Sequence, residues 1–123
     1  MRRAVAVRQR PQERRPSGRK AASAVVQLAA PQGLFFGQAV NVGLTGMCVE
    51  TDVPLPVGTQ LKLAFRLHKD EAEPLRARAQ VAWVKPSNTP VIHRLGLTFC
   101  ELGEEAARSL DLFLSPPPQR ISG

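Results

Sequence analysis

The side chains best suited to chemistry are Arg14, Arg15 and Arg19 in the stretch ERRPSGRK, followed after 21 intervening residues by Asn41-Val42-Gly43-Leu44-Thr45-Gly46. A guanidinium is a planar fork of donors that matches phosphate oxygens, or the O6/N7 edge of guanine, with two parallel hydrogen bonds, and it also stacks on purine faces. Arg15 and Arg19 are spaced i and i+4, so both can address one ligand. Asn41 offers an amide donor and a carbonyl acceptor, while Gly43 and Gly46, three positions apart, permit a tight turn and let a flat ligand approach the backbone. On their own the two glycines are equally those of an ordinary hairpin turn. Beside the arginines they suggest a site for a guanine nucleotide, with the Asn41 turn as its floor.

The distribution of charge sets these arginines apart from the rest of the chain. Residues 1–20 carry eight Arg or Lys against one acid and residues 21–123 carry nine against nine, so the whole formal charge of +7 lies in the first twenty positions. Pro11, Pro16 and Gly18 interrupt this segment, and it shows neither a strand nor a helix period. A flexible basic arm over 1–20 is the expectation. Its partner is then a polyanion, met by the arm rather than by the neutral body.

The body that must position the site reads as a mainly β domain over 21–115. Short runs punctuated by turn residues predict strands at SAVVQLA, FGQAVNV, GMCVET, LKLAFRL, LRARAQVAWV and RLGLTFCEL. LKLAFRL places Leu61, Leu63, Phe65 and Leu67 on one face, and LRARAQVAWV does the same with Leu75, Ala77, Ala79, Val81 and Trp83. That alternation assigns Trp83 to the core. Six strands at this spacing predict an antiparallel barrel or sandwich. GEEAARSLDLFL then carries Ala106, Leu110, Phe113 and Leu114 at helical spacing behind two acids, predicting one C-terminal helix that SPPPQR ends. Residues 116–123 are expected to be a disordered tail.

Catalysis finds little support. His68 and His93 lie in or beside strands with no nucleophile or carboxylate partner at motif spacing, and GxSxG, GxxxxGK and HExxH patterns are absent. Asp70, Glu71 and Glu73 fall in the hairpin HKDEAEP, where solvation accounts for them, and Glu104 and Glu105 open the helix. Cys48 and Cys100 sit in apolar runs with no CxxC or Cys/His cluster, which predicts two buried free thiols in a reducing cytoplasm and no metal. No run of 18 apolar residues is present, and no apolar segment follows the basic start, so neither membrane insertion nor secretion is expected.

In these motifs the chain resembles the PilZ domain, a small β-barrel that binds the bacterial second messenger cyclic di-GMP. The resemblance rests on Arg15-Pro16-Ser17-Gly18-Arg19 as R-x-x-x-R and on Asn41-Val42-Gly43-Leu44-Thr45-Gly46 as [D/N]-x-S-x-x-G. It extends through the P-x-G-T turn of PLPVGTQ, the Val-x-Trp of RARAQVAWV, the G-x-x-F of RLGLTF and the terminal helix, roughly residues 14–114. The resemblance implies a six-stranded antiparallel barrel with a C-terminal helix. It also implies Arg15 and Arg19 on the guanines and phosphates of the ligand, Arg14 on a neighbouring phosphate, Asn41 on a guanine edge and Gly46 in the tight turn. Gly43 departs from the family serine. It keeps the backbone N–H and loses a hydroxyl, a difference of about 0.5–1.5 kcal/mol. Arg10 and Arg14 form a second R-x-x-x-R, leaving two registers for the arm.

The implied function is a cytoplasmic adaptor, with no enzymatic activity and no cofactor, whose arm orders on cyclic di-GMP and which signals to an effector protein. Two other readings stand beside it. A degenerate PilZ-like interaction module would keep the barrel and lose the ligand, as Gly43 suggests. A basic-arm nucleic-acid binder would use MRRAVAVRQR, but the body lacks the aromatic strips that stack bases.

Overall fold

A hydrophobic face on every predicted strand leaves one economical solution, a sheet that closes on itself. The structure, a computed structural model describing residues 19–68 and 71–115, is a closed six-stranded antiparallel barrel with one helix. Its elements are β1 (Arg19–Ala30), β2 (Gly33–Gly43), β3 (Gly46–Thr51), β4 (Gln60–Phe65), β5 (Leu75–Pro86), β6 (His93–Leu102) and α1 (Glu104–Leu114). Around the barrel the order is β1-β2-β3-β6-β5-β4, with β1 pairing to β4 to close it. Closure removes the sheet edges that would otherwise template aggregation.

The alternation predicted for the strands fills the interior. Leu61, Leu63 and Phe65 of β4 and Ala77, Ala79 and Val81 of β5 are buried, with Lys62, Arg76, Arg78 and Gln80 outside. They meet Val26 and Leu28 of β1, Met47 and Val49 of β3, and Leu95 and Leu97 of β6 in one core. A large apolar side chain fully buried in this way contributes about 1.5–3 kcal/mol relative to exposure. Ala106 and Leu110 bring α1 into the same core, and Phe113 and Leu114 pack half-buried against it. Among the described residues no helix is long and apolar enough to cross a membrane.

Two fastenings hold α1 in place. The Glu71 carboxylate accepts the Leu67 and His68 amides at 2.9 and 3.2 Å and the Ser109 hydroxyl at 2.6 Å, so this hairpin acid is a strut rather than a solvated charge. Burial pushes the Glu71 pKa up, but the bonds from Ser109 and the backbone outweigh it and hold the carboxyl below its ordinary value. At the other end, α1 has no basic residue in its last turn, and Lys20 of β1 supplies the cation. Its ammonium donates to the Phe113 carbonyl at 3.0 Å and lies 4.6 Å from the centre of the Phe113 ring.

Two expectations are corrected by irregular pairing. On β6, Phe99 pairs with Ala79 and Glu101 with Arg78, so Cys100 is an extra residue pushed out of the ladder; it is exposed, whereas Cys48 is buried, and both are free thiols. On β5, Val81 pairs with Leu97 and Trp83 with Gly96, leaving Ala82 as the extra residue. A bulge shifts every later side chain to the opposite face. Trp83 is therefore on the outside, 37% exposed, instead of in the core.

Candidate functional site

The same device turns Asn41 outward. Ala39 and Val42 of β2 both point into the core, an odd separation that a regular strand cannot give, and the pairings Ala39–Val49 and Asn41–Cys48 show Val40 as the inserted residue. Without this bulge Asn41 would follow Ala39 into the barrel. Bulges on β2 and β5 thus place Asn41 and Trp83 in one lateral row. Successive Cα partners in that row are Ala21, Asn41, Cys48, Gly96 and Trp83.

The row makes a shallow platform. Gly96 lies beneath the Trp83 indole, which occupies the volume a Cβ at 96 would take, so the ring lies against bare backbone. Cys48 is 5% exposed despite facing outward. Burial pushes its thiol pKa up, against the pull of the Arg94 and Arg19 guanidiniums, which keeps the thiol protonated and non-nucleophilic at neutral pH. Arg94, one row further along, donates from Nε and Nη2 to a single Glu50 carboxylate oxygen at 3.1 and 2.7 Å. Lys85 places its ammonium 5.1 Å from the centre of the Trp83 ring.

Arg19 pairs with Gly43 in the β1–β2 ladder, and its guanidinium donates to the Asn41 side-chain carbonyl. The second arginine of the R-x-x-x-R element and the asparagine of the turn are thereby in direct contact, 22 positions apart in the chain. Arg14 and Arg15 lie outside the described residues. Gly43 ends β2, buried, and the positive-φ glycines among the described residues are Gly33 and Gly58, so its backbone accepts a side chain without left-handed strain. Gly46 is required for a different reason from the tight turn expected of it: a Cβ there would run into the Leu97 carbonyl oxygen, where β3 crosses close to β6.

Chemically, the wall offers an aromatic face, an amide edge, guanidinium donors and a surplus of positive charge. Among the described residues it offers no nucleophile hydrogen-bonded to a base, and no group of three His, Cys, Asp or Glu converges to hold a metal. Sequence reasoning named Arg14, Arg15, Arg19, Asn41, Gly43 and Gly46 as candidates, of which the structure describes the last four, and it did not foresee that Trp83, Cys48, Arg94 and Gly96 share their wall. Gly96, a glycine in the middle of an apolar strand, was the available signal, since such a residue often marks close approach by another group.

The family model for the PilZ domain matches residues 9–115. The chain belongs to the PilZ domain family. PilZ domains are binding modules rather than enzymes, in keeping with the platform described. Two solved structures share the fold. The Bacillus subtilis inhibitor of motility, MotI/DgrA, superposes with a TM-score of 0.68 at 19% identity over 78% of this chain and 47% of that one. The PilZ domain with c-di-GMP of YcgR from Escherichia coli gives 0.62 at 14% identity, over 82% and 88%. The PilZ chain thus spans about half the length of the MotI structure. No curated protein sequence matches it.

Proposed function

We propose that this PilZ domain is a cyclic di-GMP receptor that acts as an adaptor. The observation that carries the reading is the Arg19–Asn41 hydrogen bond, which brings the two halves of the family's signature together on an open, cationic wall. In this reading Arg14, Arg15 and Arg19 grip the guanines and phosphates, and Asn41 meets a guanine edge. Gly43 and Gly46 let the ligand approach the backbone. Trp83, laid flat over Gly96, gives a base a face to stack on. Residues 1–18 act as an arm that folds over the dianion, with Arg19 and Lys20 held at the start of β1, and that ordering is the signal offered to an effector protein in the cytoplasm.

Calorimetric titration of the full chain with cyclic di-GMP, beside single-stranded and duplex DNA, tests the reading. Saturable binding of the cyclic dinucleotide with no comparable binding of DNA is the expected result. A folded protein that binds neither would instead favour a PilZ module that has kept its barrel and lost its ligand, the reading that Gly43 in place of serine supports. Preference for DNA would return the arm to nucleic-acid binding.

A further inference from the structure

The barrel wall opposite the Asn41–Trp83 platform, around the β1–β4 seam, breaks the rule that the outward residues of a solvated strand are polar. Val25, Leu34 and Phe36 point outward there and are 63%, 53% and 56% exposed. Register places them beside a basic strip. One row runs Leu34, Ala29, Lys62, Arg78, and the next runs Phe36, Gln27, Ala64, Arg76. Lys62 and Arg78 are direct cross-strand partners, and like charges so placed weaken a sheet. Glu101 reaches Arg78 at 3.6 Å with both side chains more than 60% exposed, while among the described residues Lys62 and Arg76 have no carboxylate partner. A groove of about 410 Å³ lies between Val25 and Phe36 on one bank and Ala64 and Arg66 on the other.

We infer that this wall is the docking surface for the effector, and that the effector presents apolar side chains flanked by carboxylates. The inference rests on the adaptor reading above and names the chemistry of its partner. An exposed apolar cluster rimmed by polar groups marks an interaction site, and a cationic strip kept at a cost to the sheet calls for an anionic complement. Several features favour a protein over a bilayer or a nucleic acid. The apolar residues lie along a barrel wall with Gln27 among them, rather than at a protruding tip. Arg66 is held down by the Glu71 and Ala72 carbonyls at 3.1 Å each, so it is not free to snorkel toward headgroups. The half of the wall built by Val25, Gln27, Ala29, Leu34 and Phe36 carries no cation to meet phosphate. Ligand site and docking wall then occupy opposite sides of one barrel, so both can be filled together.

The probe is a synthetic helical peptide of Leu and Glu with its leucines along one face, titrated into the isotopically labelled full chain and followed by amide shifts. Its Leu/Lys counterpart and phosphatidylglycerol vesicles serve as comparison arms. Shifts should map to β1, the first half of β2, β4 and the first half of β5, and the Leu/Lys peptide should bind at least tenfold more weakly. Lys62→Glu combined with Arg76→Glu should weaken the Leu/Glu peptide tenfold or more and leave the cyclic di-GMP titration unchanged. Lys62→Glu faces Arg78, so the fold is expected to survive, and Lys62→Gln with Arg76→Gln provides a gentler pair read in the same way. Binding indifferent to both pairs, or shifts confined to the Asn41–Trp83 wall, would overturn the inference, and vesicle binding lost in the same variants would reassign the wall to a membrane. Failure of cyclic di-GMP to bind the wild type would sink the receptor reading and leave this test standing.

Discussion

The two walls of the barrel differ in the regularity of their pairing. Across the β1–β4 and β4–β5 ladders the register runs without a break, so outward and inward residues alternate as the sequence suggests. Around the platform it is broken repeatedly, between Ala21 and Ala24 on β1, at Val40 on β2 and at Ala82 on β5. Each break costs ladder hydrogen bonds and re-aims side chains. The regular wall shows what the strands do when only the core constrains them. The bulged wall shows strands bent to bring Asn41, Arg19 and Trp83 to one surface.

The largest expected effect separates neighbours on the two sides of a bulge. Leu97→Ala, inside the barrel, should cost about 2–5 kcal/mol of stability. Trp83→Ala, outside, should cost less than about 1.5 kcal/mol while weakening cyclic di-GMP by about 1–3 kcal/mol, or roughly five- to 150-fold. Chemical denaturation and calorimetry on the two variants check this. A Trp83→Ala protein that unfolds like Leu97→Ala would return the indole to the core and dissolve the contrast between walls.

Arg19→Ala should lower ligand affinity by about 1.5–3 kcal/mol with an unchanged melting temperature, because its contact with Asn41 is exposed and contributes nothing to the core. Arg19→Lys should recover little, since an ammonium is not a fork. Equal losses from Arg2→Ala and Arg3→Ala would point instead to diffuse electrostatics.

The two glycines of the turn should part company. Gly46→Ala drives a Cβ at the Leu97 carbonyl and is expected to destabilise by about 1–3 kcal/mol. Gly43→Ser meets no backbone strain and should tighten cyclic di-GMP by about 0.5–1.5 kcal/mol, two- to tenfold. Parallel titrations and melts of the two variants read both numbers, and weaker binding by the serine variant would mean that the turn has diverged to suit glycine.

The smallest effect lies away from both walls, at Glu71. Its folded pKa is held below the ordinary value of about 4.3, so the strut contributes fully above that pH and is lost as pH falls through the lower folded value. Melting temperature should therefore decline below about pH 4.3, and Glu71→Gln should flatten this part of the decline. An unchanged acid limb in the variant would show that the Ser109 contact is not fastening α1.

Much of this protein was already legible in the chain. Period-2 runs such as LKLAFRL specify a half-buried strand wherever they sit, because alternation is a property of the extended backbone itself. The helix was equally local, with Glu104 and Glu105 at its start and Ala106 and Leu110 on its buried stripe. R-x-x-x-R and Asn41-x-Gly43-x-x-Gly46 were visible by residue type and spacing alone, and the fold brings Arg19 of the first into contact with Asn41 of the second. Trp83 was misplaced because an inserted residue such as Ala82 has no side-chain signature; only pairing against β6 shows that the ladder has slipped. Glu71 looked solvated because Ser109, 38 residues away, becomes its neighbour only when the helix returns to the barrel. The sequence by itself determined which segments extend, which one coils and which family the chain belongs to. Tertiary structure decided which side of each strand faces out, since that depends on register, and register is a relation between strands that neither strand carries alone.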